Sequence, residues 1–114
     1  MKMIIAYIQP FMLEKVADAL RINRIHGTTV TACEGFGKQT NGEHPHYLDQ
    51  EIKMDFAEKR KIEIICLPAQ VADIVKLIRE NARTGHHGDG KIFVLDVGNA
   101  VDIRTGESGE SVIR

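Results

Sequence analysis

The sequence predicts an α+β fold of order β-α-β-β-α-β, a four-stranded antiparallel sheet carrying two helices on one face. Three observations lead there. Short apolar, β-prone runs alternate with stretches whose apolar residues recur at helical spacing. The two halves of the chain echo each other: Tyr7-Ile8-Gln9-Pro10 precedes Val16-Ala17-Asp18-Ala19-Leu20, and Ile65-Cys66-Leu67-Pro68 precedes Val71-Ala72-Asp73-Ile74-Val75. The length of 114 residues, with 43% hydrophobic and 27% charged, matches one globular domain, residues 1–114. Two βαβ halves around a pseudo-twofold make a ferredoxin-like sandwich, and right-handed crossovers put both helices on the same face.

Residues 2–8 are apolar and β-prone, which suits a central first strand. Pro10 ends that strand and suits a helix start. Residues 11–23 then place Met12, Val16, Ala19 and Leu20 on one face, with Glu14, Lys15, Asp18 and Arg21 outward, as a first helix. After Gly27, residues 28–36 alternate as a second strand. Residues 37–59 differ in kind: glycine, proline, histidines and many charges, with no sustained period. A long irregular stretch inside a small domain is usually functional or disordered. Residues 60–67 read as the third strand, 69–82 as the second helix with Val71, Ile74, Val75 and Ile78 on one face, and 91–97 as the fourth strand. Residues 102–114 read as a polar tail. With both helices on one side, the other sheet face keeps apolar residues uncovered, which predicts a homo-oligomer with sites at subunit clefts.

The bulk composition narrows the function classes. A net charge of −1 and few aromatics argue against a nucleic-acid surface. No apolar run approaches the roughly 20 residues needed to span a bilayer, and the first residues lack a signal-peptide pattern. Cys33 and Cys66 sit in strand-like segments, which reads as a reduced, cytoplasmic protein with structural thiols.

The richest stretch is Ala82-Arg83-Thr84-Gly85-His86-His87-Gly88-Asp89-Gly90-Lys91, the glycine loop of residues 83–91. Glycines can present backbone N–H groups to an anion, and a lysine at the edge completes a phosphate-sized site. The run also reads Gly-x4-Gly-Lys, most of a Walker A motif. Ile92 stands where that motif needs a Ser/Thr hydroxyl, and the loop runs helix-to-strand rather than strand-to-helix. The P-loop reading therefore fails, leaving an anion cradle or a plain turn. Arg83, Lys91 and Arg104 are cations near it in sequence; Arg104 alone also reads as a solvated tail residue. Gly35-Phe36-Gly37-Lys38-Gln39 is either a bulged strand exit or a second cleft wall. His44, His46, His86 and His87 lack metal-ligand spacing and read first as loop histidines. There is no nucleophile motif, and Asp49 and Glu51 lie where nothing holds them for catalysis. No catalytic residue is expected, and a binding module with an effector loop fits better than an enzyme.

These blocks together resemble the PII nitrogen-regulatory signal-transduction proteins. The resemblance rests on Thr28-Thr29-Val30-Thr31 with Gly35-Phe36-Gly37-Lys38-Gln39, on Lys61-Ile62-Glu63-Ile64, on Ala82-Arg83-Thr84-Gly85 with Gly88-Asp89-Gly90-Lys91-Ile92-Phe93-Val94, and on Ile103-Arg104-Thr105-Gly106-Glu107. It covers nearly the whole chain. It implies a homotrimer binding ATP or ADP in inter-subunit clefts, with Mg²⁺ and 2-oxoglutarate. Gly88, Asp89, Gly90, Lys91 and Arg104 would hold phosphates, and Thr29, Gly37, Lys38 and Glu63 would line the nucleotide cleft. Gln39 would supply the Mg²⁺-bridging oxygen, and Lys59, with Gln39 and Gly88, would bind 2-oxoglutarate. The loop of about residues 37–56 would contact a target enzyme or membrane transporter. The resemblance implies regulation rather than turnover, with at most weak ATP hydrolysis.

Four departures from the family pattern stand out. The loop is one residue longer than in the best-known members. Ile52 occupies the position of the uridylylated tyrosine, so no modification is expected there; Tyr47 aligns with a different family tyrosine. Asp102 replaces the first of two tail basic residues, and Thr40 stands where many members carry lysine beside the oxoglutarate site. A branch of the family lacking the modifiable tyrosine, and encoded beside metal-efflux or transport genes, resembles the chain more closely. It supplies the alternative: a metal-responsive trimer using His44 and His46 to regulate a metal-efflux or other membrane transporter.

Overall fold

The computed structural model describes residues 1–35 and 57–113. Strand β1 spans Lys2–Ile8, helix α1 Leu13–Ile22, β2 Thr28–Gly35, β3 Ala57–Cys66, α2 Val71–Ala82 and β4 Gly90–Asp96. Short 3-10 turns at Pro10–Met12 and Pro68–Gln70 lead into the two helices, and a third, Glu110–Ile113, follows β4. Among the described residues the strands form one sheet of order β2-β3-β1-β4, every pair antiparallel. This is the expected ferredoxin-like β-α-β-β-α-β sandwich.

The period-two alternation of β1 and β3 sorts their side chains by face. Ile4, Ala6 and Ile8 of β1 and Ile62, Ile64 and Cys66 of β3 are buried under the helices. Val16 and Leu20 of α1 and Ile74, Ile78 and Ala82 of α2 close over them in one cluster. At roughly 1.5–3 kcal/mol for each fully buried aliphatic side chain, this cluster is the main favourable term in folding. The residues between them face the other way. Met3 lies opposite Ile65 and Leu95, Ile5 opposite Glu63 and Phe93, and Tyr7 opposite Lys61 and Lys91. Phe93 and Leu95 on that face remain 49% and 42% exposed in the single chain.

The structure shifts several expected boundaries. Pro10 and Pro68 open 3-10 turns rather than the α-helices themselves. The Leu67 N–H is satisfied by the Gln70 side-chain oxygen at 2.9 Å, which fixes the second turn. Strand β3 starts at Ala57, so Lys59 is a strand residue opposite Cys33 rather than part of the irregular stretch. Ala57, Glu58 and Lys59 have weak β preference alone; the ladder that β2 offers overrides it. The tail is more ordered than its polarity suggests. Val101 bridges to Ser108, and the turn between them is closed by the Asp102 N–H on the Glu107 carbonyl and the Gly106 N–H on the Asp102 carbonyl, both 2.8 Å.

Candidate functional site

The glycine loop joins the end of α2 to the start of β4. Gly85, Gly88 and Gly90 all have positive φ, at +92°, +90° and +114°. At Gly90 no other residue fits: an added Cβ would lie 1.7 Å from the Tyr7 carbonyl oxygen. That close approach lets β4 start directly against β1, with Gly90 opposite Ile8 and Lys91 opposite Tyr7.

Within the loop the Asp89 carboxylate is the organising group. It accepts the Thr84 N–H at 2.8 Å, the Gly85 N–H at 2.9 Å and the Thr84 hydroxyl. The Thr84 Oγ1 in turn accepts the His86 N–H at 3.2 Å. The Thr84 hydroxyl is the largest influence on the Asp89 carboxyl; with the Thr84 and Gly85 N–H groups it outweighs the opposing desolvation and holds that carboxyl below its ordinary value. These bonds commit the N–H groups of Thr84 and Gly85 to Asp89. The part of the loop left for a ligand is therefore its second half, around Gly88–Lys91.

That half meets two other elements at one atom. The Gly88 carbonyl accepts a hydrogen bond from Gln9 Nε2 at 2.6 Å and another from Lys59 Nζ at 2.5 Å. The structure thus places Lys59 and Gly88 in hydrogen-bond contact, and it adds Gln9 and Thr84, whose contacts sequence reasoning missed. Thr84 carried a readable signal: a hydroxyl five residues before an aspartate, within a glycine-rich turn, suits side-chain-to-backbone bonding. Gln9 offered only its place at the strand end.

The other expected residues fall elsewhere. Thr29 on β2 lies directly opposite Glu63 on β3, and Lys61 Nζ is 3.6 Å from the Glu63 carboxylate. Thr29, Glu63 and Lys91 belong to the helix-free face. However, β2 and β4 are opposite edges of the sheet. At ~4.8 Å per strand, three steps separate Thr29 from β4 by about 14 Å. One chain therefore splits the expected nucleotide set into a β2-side group and a glycine-loop group. Arg104 is exposed in the turn of the Val101–Ser108 hairpin. Asp102 beside it is engaged locally: its carboxylate accepts the Thr105 N–H at 2.9 Å, the first cause of its lowered pKa. Gly37, Lys38, Gln39, Thr40, His44, His46, Tyr47, Ile52 and the rest of the 37–56 loop lie outside the described residues. Among the described residues no cluster of His, Cys, Asp or Glu could hold a metal ion.

Recesses flank the loop. One of about 330 Å³ is bounded by Arg79, Glu80, Arg83, Thr84 and Gly85. A narrow one of about 80 Å³ runs between Tyr7, Asp89, Gly90 and Lys91. A larger recess, about 560 Å³, lies away from this chemistry, between Arg24–Gly27, the end of β3 and the last 3-10 turn, and its floor is Ile64, Cys66 and Ile74.

Comparison with known proteins bears on what this arrangement serves. The family model described as Nitrogen regulatory protein P-II matches residues 1–107. The Nitrogen regulatory protein P-II of Pasteurella multocida (strain Pm70) is 45% identical over 113 residues, covering 99% of this chain and 100% of that protein. Nitrogen regulatory protein P-II 2 of Methanothermobacter thermautotrophicus is 42% identical over 113 residues, covering 99% and 97%. The Klebsiella oxytoca protein of the same name is 45% identical, covering 99% and 100%.

Proposed function

Because this chain belongs to the nitrogen regulatory protein P-II family, we propose that it senses adenine nucleotide and 2-oxoglutarate at the glycine loop and passes that state to target proteins. The family's proteins are non-catalytic signal transducers of nitrogen metabolism that act on partner proteins. Among the described residues no helix is long and apolar enough to cross a membrane. The finer statements, the ligands and the residues that hold them, are our reading.

The observation that carries the reading is the convergence at Gly88–Lys91. A triphosphate needs several donors and cations around it. The second half of the loop offers backbone N–H groups beside Lys91 and Lys59, with its first half braced by Asp89. Lys59 is a mobile cation with three donors, suited to a carboxylate. In this reading Gly88, Gly90, Lys91 and Arg104 hold phosphates, Asp89 shapes the loop that presents them, and Lys59 neutralises the 2-oxoglutarate carboxylate. Bound Mg²⁺ would neutralise phosphate charge, with Gln39 supplying an oxygen to it. The split of the expected set between opposite sheet edges supports a site completed by a second copy: Thr29 and Glu63 of one chain would meet the glycine loop of another. That arrangement also covers the apolar residues of the helix-free face, and a homotrimer satisfies it. The 37–56 loop would then report the ligand state to a target enzyme or membrane transporter.

Calorimetry tests this directly. ATP and ADP should each bind saturably, and 2-oxoglutarate should bind only with Mg²⁺ and ATP present. Lys91→Ala should weaken ATP binding roughly 10–100-fold, the effect of losing a charge-assisted hydrogen bond of ~1.5–3 kcal/mol. No nucleotide binding at millimolar concentration would overturn the proposal. A monomeric mass in solution would overturn the shared cleft.

A further inference from the structure

The Gly88 carbonyl is held twice, and its two donors are not equivalent. Gln9 stands just past the end of β1, and Lys59 lies near the start of β3. An added Cβ at Gly88 would sit 3.2 Å from Gln9 Nε2 and 3.9 Å from Lys59 Nζ, so both groups crowd the same side of residue 88. Its φ of +90° is open to glycine at little cost, so outside contacts must pin the peptide. A carbonyl oxygen has two lone pairs and is satisfied by one partner. One of these two donors is therefore surplus to the loop.

Charge decides which one can leave. A carboxylate arriving beside Gly88 competes strongly for the Lys59 ammonium, because a charge-assisted bond is roughly twice as strong as a neutral one. It competes weakly for the neutral amide of Gln9. If Lys59 were the sole donor, its departure would leave the carbonyl short of a partner at the moment the ligand needs a fixed loop.

We propose that Gln9 is the positioning residue of this site: it keeps Gly88 in place while Lys59 transfers from the Gly88 carbonyl to the carboxylate of the ligand. This rests on the reading of 2-oxoglutarate binding given above. Lys59 touches the ligand; Gln9 acts through the Gly88 peptide. The transfer is an exchange of hydrogen bonds, with no covalent step.

The test uses the full chain and four proteins: wild type, Gln9→Met, Lys59→Met and the double variant. Methionine keeps side-chain length and removes the donor. In the absence of ligand, amide hydrogen exchange of residues 84–90 should stay near wild type in each single variant and accelerate about fivefold in the double variant, the effect of one net hydrogen bond. With Mg²⁺ and ATP present, Gln9→Met should bind ATP within about twofold of wild type and 2-oxoglutarate about fivefold more weakly. A general loosening of the loop would weaken both ligands alike, and that result overturns the proposal. So does unchanged 2-oxoglutarate affinity in Gln9→Met, or faster exchange in Gln9→Met alone with no further effect in the double variant. If wild type itself binds ATP but not 2-oxoglutarate, the transfer falls with the oxoglutarate reading. If it binds 2-oxoglutarate and Gln9→Met matches it, only the transfer falls.

Discussion

Replacing Gly90 by alanine is the sharpest perturbation the structure offers. The new Cβ would lie 1.7 Å from the Tyr7 carbonyl oxygen, 2.8 Å from the Tyr7 carbonyl carbon and 3.4 Å from the Ile8 Cα. All three are backbone atoms of the central strand β1, so no side chain can swing aside. The φ of +114° adds strain of ~1–3 kcal/mol for a residue with a Cβ. Relieving the overlap pulls the start of β4 from β1 and loses ladder bonding at the Gly90–Ile8 pair, ~1 kcal/mol, with displacement of packed neighbours costing ~1–3 kcal/mol more. The sum is about 3–7 kcal/mol, a large share of the ~5–15 kcal/mol stability of a typical domain. At ~4 °C per kcal/mol for a domain of this size, Tm should fall roughly 12–28 °C. Gly85→Ala is the control: its φ of +92° carries the strain, but nothing lies within 4 Å of the added carbon. It should cost only ~1–3 kcal/mol. Gly35→Ala, with neither feature, should be near neutral. Urea and thermal unfolding at matched protein concentration would compare the three, so that any association contributes equally to each. A Gly90→Ala protein within about 1 kcal/mol of Gly85→Ala would refute the close-approach argument.

Three further outcomes are expected. The Asp89 carboxyl is depressed chiefly by the Thr84 hydroxyl, so its contribution to loop stability is complete above the ordinary aspartate range and is lost as pH falls through the lower folded-state value; Thr84→Val should move the Asp89 titration upward by carbon-detected NMR, and an unmoved titration would show that the hydroxyl is not the cause. Cys66 is buried, and desolvation, opposed by the N-terminal charge, raises its thiol pKa, whereas Cys33 is half-buried; a thiol reagent followed by mass spectrometry should label Cys33 first and Cys66 only on unfolding, and equal rates would contradict the packing. Ile78→Ala, at a site with 0% exposure in the core, should cost ~2–5 kcal/mol by urea unfolding, whereas a loss under about 1 kcal/mol would mean that α2 does not seal the sheet.

Much of the fold was legible because local chemistry and global arrangement agree. Ile4, Ala6 and Ile8 alternate in one strand and Ile62, Ile64 and Cys66 in another, and both helices present their apolar stripe to that face. Where the reading slipped, a tertiary effect outweighed a local one. Ala57–Lys59 joined β3 because β2 pairs with them, which no window of sequence contains. Residues 102–109 look like a solvated tail, yet the Asp102 carboxylate and the positive φ of Gly106 and Gly109 build a closed hairpin.

The sequence by itself determined the order of elements, the apolar stripe of each helix and the glycine loop as the place to look. These follow from periodicities and from residues whose backbone preferences are local. Only the tertiary structure decided how that loop is built. It turned Asp89 inward onto Thr84 and Gly85, set Gln9 and Lys59 on one carbonyl oxygen, and carried Thr29 and Lys91 to opposite edges of the sheet. Each of these joins residues whose meeting depends on strand order or loop closure. Side-chain chemistry is written along the chain, but the distance between Gln9, Lys59 and Gly88 exists only once the sheet and the loop are in place.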